Sequence, residues 1–305
     1  MEEALRSFFL RLAQNQAMIG WAKRYGLRFG ANRFVAGETI ESAIAAVAEL
    51  NRQGIAVTLD HLGEFVADEA EARAAADYCV KTLEAIHSAS VDSSLSLKLT
   101  QLGLDIRREL CLENIRMILD AASAYKLWVN IDMEDFSRCQ ATLDIFRELA
   151  ASYDNVQTVI QAYLYRSLDD VKALAEMGAS IRLVKGAYKE PETVAYPDKA
   201  DVDGNYVRML DVHLPSPGLT SIATHDEQII DYAKRAIAKQ GIAKDKYEFQ
   251  MLYGIRTDLQ QALAKEGHPV RVYVPYGDDW YGYFMRRLAE RPANVEFVLK
   301  GVIHS

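Results

Sequence analysis

Short apolar segments with the composition of β-strands recur along the chain, and each is followed by a longer amphipathic and charged segment. About eight occur, with starts about 22 to 40 residues apart. They cover residues 55–60, 95–100, 127–132, 156–163, 181–186, 220–225, 247–252 and 270–274. Strands that alternate with helices form right-handed βαβ units, and eight such units close a barrel. The pattern therefore predicts an α/β fold built on a parallel (βα)8 barrel of the TIM type.

The first fifty or so residues have a helical pattern instead. Apolar residues recur at helical spacing from Leu5 to Leu12, and a further helix is predicted over 40–50. No segment rich in proline, glycine or serine divides the series of strands that follows. We therefore predict an N-terminal helical appendage over residues 1–45 and a single barrel over residues 46–305.

Composition and charge narrow the function classes. The 35 basic and 43 acidic side chains give a net charge of −8, which argues against nucleic acid as a partner. The three cysteines, Cys79, Cys111 and Cys139, form no C-x-x-C pair and predict neither a disulfide framework nor a metal site. Arg6 and Arg11 interrupt the N-terminal apolar pattern. We therefore expect a cytoplasmic protein, with peripheral contact at the inner face of the membrane left open.

Several common cofactor and catalytic motifs are absent from the sequence. No two glycines lie two positions apart, so the dinucleotide fingerprint G-x-G-x-x-G does not occur. The sequence also contains no G-x-x-x-x-G-K, H-E-x-x-H or G-x-S-x-G. A nucleotide cofactor, if this protein uses one, does not bind to a classical Rossmann turn.

Polar side chains lie late in several predicted strands, where barrel enzymes place their active sites. Lys98 and Asp132 end adjacent strands, and Gln161 and Arg182 lie on the same side of theirs. One interpretation of Lys98 and Asp132 is a structural ion pair. Because buried ion pairs are often no more stabilising than apolar replacements, a functional role is favoured.

Two loops that follow predicted strands carry candidate anion-binding residues. In Lys185-Gly186-Ala187, a lysine precedes a residue without Cβ, which lets backbone N–H groups approach a phosphate. Thr224 and His225 end the sixth predicted strand. An ordinary turn and a hydrogen-bonded structural histidine are the alternative interpretations.

The segment after the last predicted strand combines four polar residues at helical spacing, Tyr283, Arg286, Arg287 and Glu290. Adjacent arginines on an exposed helix are usually solvated. On a helix that caps a pocket, their two guanidinium groups can instead bracket one carboxylate.

Nine segments of the sequence together resemble the proline dehydrogenases. They are, in family order, residues 57–64, 96–99, 130–133, 160–163, 182–188, 223–225, 248–254, 271–275 and 283–287. The sequence is similar to the monofunctional, FAD-dependent bacterial enzymes, and to the proline-oxidising barrel of the bifunctional proline-catabolism enzymes. Each segment alone is weakly specific, whereas nine in order, spanning about residues 55 to 295, are highly specific.

The resemblance implies a distorted (βα)8 barrel whose last helix lies over the barrel mouth. It implies tightly bound, non-covalent FAD and oxidation of L-proline to (S)-1-pyrroline-5-carboxylate, with electrons passed to a membrane quinone. The expected partners are thus L-proline and a quinone, and no metal is expected.

The resemblance also assigns the residues of the reacting centre. Lys98, Arg286 and Arg287 would bind the proline carboxylate, while Tyr273 and Tyr283 would wall the ring and Leu252 would lie beneath it. Asp132 would lie beside Lys98, Asp60 would pair with Arg286, and Arg182 would lie at the N5 edge of the flavin. Asp132, Arg182 and Tyr273 are the predicted catalytic residues.

The remaining assignments concern FAD. Gln161 and the backbone of Met133 would contact the isoalloxazine, beside Arg182. The residues that would hold the ribityl, pyrophosphate and adenosine portions are Lys185, Gly186, Ala187, Thr224, His225 and Glu290. After Tyr188 the sequence departs from the bifunctional enzymes, with Lys189-Glu190-Pro191 in place of aromatic and acidic residues, so the adenine contacts there are not carried over.

The residue chemistry leaves two alternatives open. Lys98 or Lys185 could form a Schiff base in an aldolase-type reaction. A non-catalytic carboxylate-binding barrel would use the same cations without a redox step.

Overall fold

The computed structural model describes residues 31–63 and 66–290, with side chains of the last helix as far as Met285. Eight parallel strands lie within these ranges and close into a barrel in the order β1 to β8. They are β1 (Ala56–His61), β2 (Ser93–Leu97), β3 (Val129–Ile131), β4 (Val156–Gln161), β5 (Ile181–Val184), β6 (Thr220–Ala223), β7 (Tyr247–Leu252) and β8 (Val270–Tyr276). The predicted (βα)8 barrel is confirmed.

Helices alternate with the strands around the barrel. They are α1 (Ile40–Arg52), α2 (Glu69–Ala89), α3 (Arg108–Tyr125), α4 (Phe136–Ala150), α5 (Ser167–Glu176), α6 (Lys199–His213), α7 (Glu227–Gln240), α8 (Thr257–Lys265) and α9 (Trp280–Glu290). Short 3-10 turns occupy Ala31–Arg33 and Lys244–Lys246. One face of each strand packs on this ring of helices and forms the main apolar core, to which Leu95, Leu97 and Val129 belong.

Pairing of β1 with both β2 and β8 closes the sheet. Asp60 is opposite Ser96 on one side and opposite Pro275 on the other. Arg182 on β5 hydrogen-bonds Ser96 on β2, and these strands are not neighbours in the barrel. Their side chains therefore meet inside the barrel, as the alternation of polar and apolar residues predicts.

Seven of the eight predicted strand ends differ from the structure by one to three residues, and two of these differences lie at Lys98 and Asp132. Residues 95–100 were predicted as strand, but β2 ends at Leu97, and residues 127–132 were predicted where β3 ends at Ile131. Side chains take up the backbone donors beyond Leu97: the N–H of Lys98 donates to Gln101 Oε1 at 3.1 Å, and the N–H of Thr100 donates to Glu134 Oε1 at 3.1 Å. Lys98 and Asp132 thus lie immediately after their strands.

The predicted helical pattern over the first fifty residues is wrong for residues 34–39. These residues lie between the 3-10 turn and α1 and are not helical. Helix α1 begins at Ile40 because Thr39 and Ser42 form a capping box. It runs across residue 45, and its Ala43 and Val47 belong to the main core. The predicted helix near Leu5 lies outside the described residues.

Helix α9 follows β8 and belongs to a second apolar cluster. Tyr283, Phe284 and Met285 pack there with Leu62, which follows β1, and with Ile255, which follows β7. Both partners lie beyond the carboxyl ends of their strands, so α9 lies at that end of the barrel, as predicted.

Candidate active site

The carboxylate of Asp132 is the centre of a hydrogen-bonded network inside the barrel. Its Oδ1 accepts from Ser96 Oγ at 2.9 Å, from Asn130 Nδ2 at 2.7 Å and from Arg182 Nη1 at 2.7 Å. Its Oδ2 accepts from the hydroxyl of Tyr273 at 2.7 Å. The donors come from β2, β3, β5 and β8, so barrel closure is what brings them to one carboxylate.

Lys98 adds a second cation to this network. Its Nζ lies 3.6 Å from Asp132 Oδ2 and 3.5 Å from Asp60 Oδ2. The side chains of Lys98 and Asp132 are about one-tenth exposed, and that of Asp60 is almost fully buried. The predicted proximity of Lys98 and Asp132 is confirmed, and Asp60 joins them.

Arg182 is buried and lies against the face of Tyr273, with Cζ 5.3 Å from the ring centroid. Only Nη1 of its guanidinium reaches Asp132; Nε and Nη2 have no hydrogen-bond partner within the described part of the chain. Buried donors of this kind are costly unless something satisfies them. Two guanidinium donors are therefore available to a bound group.

Gln161, the last residue of β4, shows the same feature. Its side chain is buried, and its Oε1 has no partner among the described residues. An acceptor on Gln161 and donors on Arg182 match a planar heterocycle that carries both N–H and N or C=O groups. The residues present fit the isoalloxazine of FAD, and the buried Met133 follows Asp132 in the same loop.

The environment raises the pKa of Tyr273 well above its ordinary value. Desolvation of the phenol is the largest cause, followed by the negative charges of Asp132 and Asp60. The hydroxyl therefore stays protonated and donates to Asp132, which holds the ring in place.

The loop after β5, predicted to approach a phosphate, contains a network of charged side chains. Lys185 Nζ donates to Asp203 Oδ1 at 2.5 Å and to Asp226 Oδ2 at 2.6 Å. Lys199 binds the same two carboxylates, so the four side chains form one charge network. A phosphate would therefore have to share Lys185 with both aspartates, and the cation is less available than its sequence motif suggests.

Gly186 and Ala187 complete this loop. Gly186 has a φ of +122°, and a Cβ there would lie 2.4 Å from a ring carbon of Tyr163. Glycine is therefore required at this position both by backbone conformation and by space. Ala187 is exposed.

Thr224 and His225 were predicted to end the sixth strand, but β6 ends at Ala223 and both lie in the loop that follows. Thr224 Oγ1 accepts from the N–H of Asp226 at 3.1 Å. His225 Nε2 accepts from the N–H of Leu252 at 3.0 Å, which links this loop to the end of β7. Leu252 is half-buried and packs against the second apolar cluster with Tyr283.

The predicted residues thus separate into two groups. The structure brings Lys98, Arg182 and Tyr273 around Asp132, whereas Lys185 belongs to a separate network with Asp203 and Asp226. The side chains of Arg286, Arg287 and Glu290, and with them the predicted Asp60–Arg286 pair, lie outside the described residues.

Three polar residues of the site were missed as functional candidates. Ser96 and Asn130 hold Asp132, and Gln101 binds the backbone of Lys98. The period-2 alternation that exposes Lys98 and Asp132 to the barrel interior also applies to Ser96 and Asn130, so a signal for these two was present. No such signal marked Gln101, which lies in a turn.

Among the described residues, no group of three or more metal-ligating side chains is arranged to hold an ion. In the same part of the chain, none of the helices has the length and apolar character needed to cross a bilayer.

Comparison with known proteins gives consistent results. The family model described as "Proline dehydrogenase" matches residues 43–300. The chain is 50% identical to proline dehydrogenase 1 of Bacillus subtilis over 299 residues, covering 98% of this chain and 99% of that protein. It is 51% identical to the proline dehydrogenase of Deinococcus radiodurans over 278 residues, 90% of each chain.

Solved structures agree. The structure of proline utilization A from Bdellovibrio bacteriovorus, inactivated by N-propargylglycine, superposes with a TM-score of 0.80 at 26% identity. The match covers 85% of this chain, which spans 32% of that larger protein. Three findings point to the same family: the family model matches most of the sequence, the relatives are about half identical over nearly their full length, and the barrel is shared. The chain belongs to the proline dehydrogenase family of oxidoreductases.

Proposed function

We propose that this protein oxidises L-proline to (S)-1-pyrroline-5-carboxylate with FAD as its cofactor, and that a membrane quinone receives the electrons. The observation that carries the proposal is the network of Asp132, Arg182, Tyr273 and Lys98. Beside it lie buried atoms of Arg182 and Gln161 that have no partner among the described residues. It presents cations for a carboxylate, an aromatic wall for a ring, and polar edges for a flavin.

The substrate carboxylate is the group that fixes orientation. Lys98, Arg286 and Arg287 bind it, and Tyr273 and Tyr283 wall the apolar ring with Leu252 beneath. Because proline has one carboxylate, one secondary amine and an apolar ring, this set of groups matches it. Fixed orientation is the largest contribution that a protein makes when the cofactor carries the redox chemistry.

FAD, when bound, accepts the hydride that leaves the C5 carbon of proline. Gln161, the backbone of Met133 and the free donors of Arg182 hold the isoalloxazine. The residues that hold the rest of the cofactor are Lys185, Gly186, Ala187, Thr224, His225 and Glu290. The positive charge of Arg182 favours electron transfer into this site electrostatically.

The role of Asp132 is to orient two other groups. With donors from Ser96, Asn130 and Arg182 on one oxygen and from Tyr273 on the other, it fixes the guanidinium and the phenol relative to each other.

The proline nitrogen must be deprotonated before hydride leaves, since its lone pair stabilises the iminium that forms.

Anaerobic titration of the purified protein with L-proline tests the proposal. We expect flavin absorbance that bleaches stoichiometrically, and re-oxidation that is faster with a soluble quinone analogue than with oxygen. A flavoprotein that proline does not bleach would contradict the proposed reaction, and faster re-oxidation by oxygen would contradict the proposed acceptor.

No observation favours the aldolase alternative. Lys98 and Lys185 each bind two carboxylates, so neither presents the free amine that Schiff-base formation needs. Trapping with borohydride and a keto acid is expected to leave the protein unmodified. A carboxylate-binding barrel without redox activity would bind proline without bleaching.

The proposed acceptor also implies a location. A quinone resides in the bilayer, so we propose a cytoplasmic protein that makes peripheral contact with the inner face of the membrane. Co-sedimentation of the flavoprotein with quinone-containing vesicles is the expected result.

A further inference from the structure

Gln101 links two segments of the barrel mouth through a single buried amide. Its Oε1 accepts from the N–H of Lys98 at 3.1 Å, and its Nε2 donates to the carbonyl of His61 at 2.9 Å and to that of Gly63. Only one orientation of the amide is compatible with a backbone donor on one side and two carbonyls on the other. Gln101 as a whole residue is 6% exposed, so water does not replace these bonds readily.

The two linked segments carry different parts of the proposed substrate site. One is the turn after β2, which begins at Lys98. The other is the loop after β1, whose Leu62 packs with Trp280 and Tyr283 of α9. Gln101 therefore sets the position of the Lys98 turn relative to the loop on which α9 rests.

A second contact holds the other side of the same turn. The N–H and the hydroxyl of Thr100 donate to the two carboxylate oxygens of Glu134, at 3.1 and 2.6 Å, in the loop after β3. Glu134 is buried. The turn that carries Lys98 is thus clamped between the loops after β1 and β3, and Gln101 is its contact toward α9.

We propose that Gln101 is a positioning residue for carboxylate binding: it holds Lys98 at the correct place opposite α9, and it does so without touching the substrate. The proposal rests on the proposed function, in which Lys98 and α9 bind the two sides of one carboxylate. Displacing Lys98 weakens recognition of the carboxylate, while Asp132 keeps its hydrogen bonds to Arg182 and Tyr273, so the side of the site proposed to contact the flavin stays in place.

The test compares Gln101→Glu and Gln101→Met with the wild-type flavoprotein. Glutamate keeps the acceptor for Lys98 but places an oxygen against two carbonyls, whereas methionine removes all three bonds at similar length. We expect the KM for L-proline to rise about tenfold in both variants and kcat to stay within about threefold, as expected when ground-state binding is lost.

Two ring compounds distinguish a loss of carboxylate recognition from a general loss of ligand binding. Cyclopentanecarboxylate has the ring and the carboxylate, and pyrrolidine has the ring and the amine. The dissociation constant of each compound is measured by titration, with flavin absorbance as the signal. Cyclopentanecarboxylate is expected to bind about tenfold more weakly to the variants, whereas pyrrolidine should bind within twofold of wild type.

Asn155→Asp is the matched control, because it also changes a buried amide to a carboxylate. Asn155 Nδ2 donates to the carbonyl of Leu127 at 2.9 Å, just before β4 at the opposite end of the barrel. We expect this variant to be destabilised in urea like Gln101→Glu, with an unchanged KM.

A double variant shows whether Gln101 acts through Lys98. The KM of Lys98→Met is expected to be raised, and adding Gln101→Glu should raise it no further, because the residue to be positioned is gone. Additive effects, or a KM within twofold of wild type in both Gln101 variants, would overturn the proposal while leaving the proposed function intact. A wild-type flavoprotein that does not oxidise proline would overturn both.

Discussion

At the scale of single residues, Asp132 is the position on which most of the site depends. Replacing it by asparagine keeps its shape but leaves Arg182 and Lys98 without their shared carboxylate. We expect Asp132→Asn to lower kcat/KM at least about 100-fold, roughly 3 kcal/mol, because breaking a buried ion pair leaves an uncompensated charge. Stopped-flow reduction of the flavin by proline measures this.

Tyr273→Phe is the comparison for that variant. It keeps the ring on which Arg182 lies and removes only the hydroxyl that donates to Asp132. The loss of one hydrogen bond is expected to cost about 1 kcal/mol, roughly a fivefold decrease in kcat/KM. A Tyr273→Phe defect as large as that of Asp132→Asn would show that the hydroxyl has a chemical role beyond orientation.

His213 gives a pH dependence that is independent of the site. It is fully buried at the end of α6, where its Nε2 donates to the carbonyl of Ala179 and its Nδ1 accepts from Thr220. Burial lowers its pKa to about 4. Because the unfolded histidine titrates near 6.5, the stability it contributes is present above that pH and is lost as the pH falls towards 4.

The wild-type protein should therefore lose up to about 3 kcal/mol of unfolding free energy between pH 6.5 and 4 through this residue. His213→Gln is expected to be less stable at pH 7 but to show a shallower pH dependence across this range. Urea unfolding at several pH values measures both. Equal slopes for the two proteins would contradict the assignment.

At the scale of elements, the loop after β5 depends on Gly186. Its φ of +122° and the closeness of the Tyr163 ring leave no room for a side chain. We expect Gly186→Ala to shift this loop and to lower the free energy of unfolding by about 1–3 kcal/mol. The free energy of FAD binding should fall by more than the free energy of unfolding does. Reconstitution of the apoprotein, followed by flavin fluorescence, measures the affinity.

Gly204→Ala is the matched control for that substitution. Gly204 lies within α6, and a Cβ there meets nothing within 4 Å. Alanine should therefore stabilise the helix by about 0.5–1 kcal/mol and leave FAD affinity unchanged. Equal losses of FAD affinity in both variants would contradict a specific role for the loop.

At the scale of the whole molecule, an ion pair inside the barrel crosses the place where the sheet closes. Arg271 on β8 donates from Nε to both oxygens of Glu248 on β7, at 3.1 and 3.0 Å, and from Nη1 to the carbonyl of Val57 on β1. Burial opposes ionisation of Glu248, but the charge of Arg271 and hydrogen bonds outweigh it and lower its pKa. The pair therefore links three consecutive strands across the closure.

Glu248→Gln is expected to lower the unfolding free energy by about 3 kcal/mol, since it leaves Arg271 with only the exposed Asp92, 3.9 Å away, as a counter-charge. The double variant Glu248→Gln with Arg271→Met should be more stable than Glu248→Gln alone, because the cation that lost its near counter-charge is also removed. Urea unfolding measures both. A double variant less stable than the single one would show that the hydrogen bonds, and not the charge, matter here.

Much of the fold was predictable because hydrophobic periodicity is a local property of the chain. Eight strands and the helices between them were located from alternation and spacing, and β7 was predicted with the correct ends. The end of β2 was not, since Gln101 and Glu134 bind the backbone donors after Leu97 and end the strand. Side-chain competition for backbone groups has no periodic signature.

The sequence was sufficient for the architecture, the family and the side of each strand that carries polar residues, because these follow from repeating patterns and ordered motifs. It was insufficient for the partners of each polar group. Arg182 and Ser96 are 86 positions apart and meet only because the sheet closes. The same closure brings Tyr273 to Asp132, and the folding of the loops pairs Lys185 with Asp203 and Asp226. Contacts between distant segments depend on barrel geometry, which no local pattern encodes.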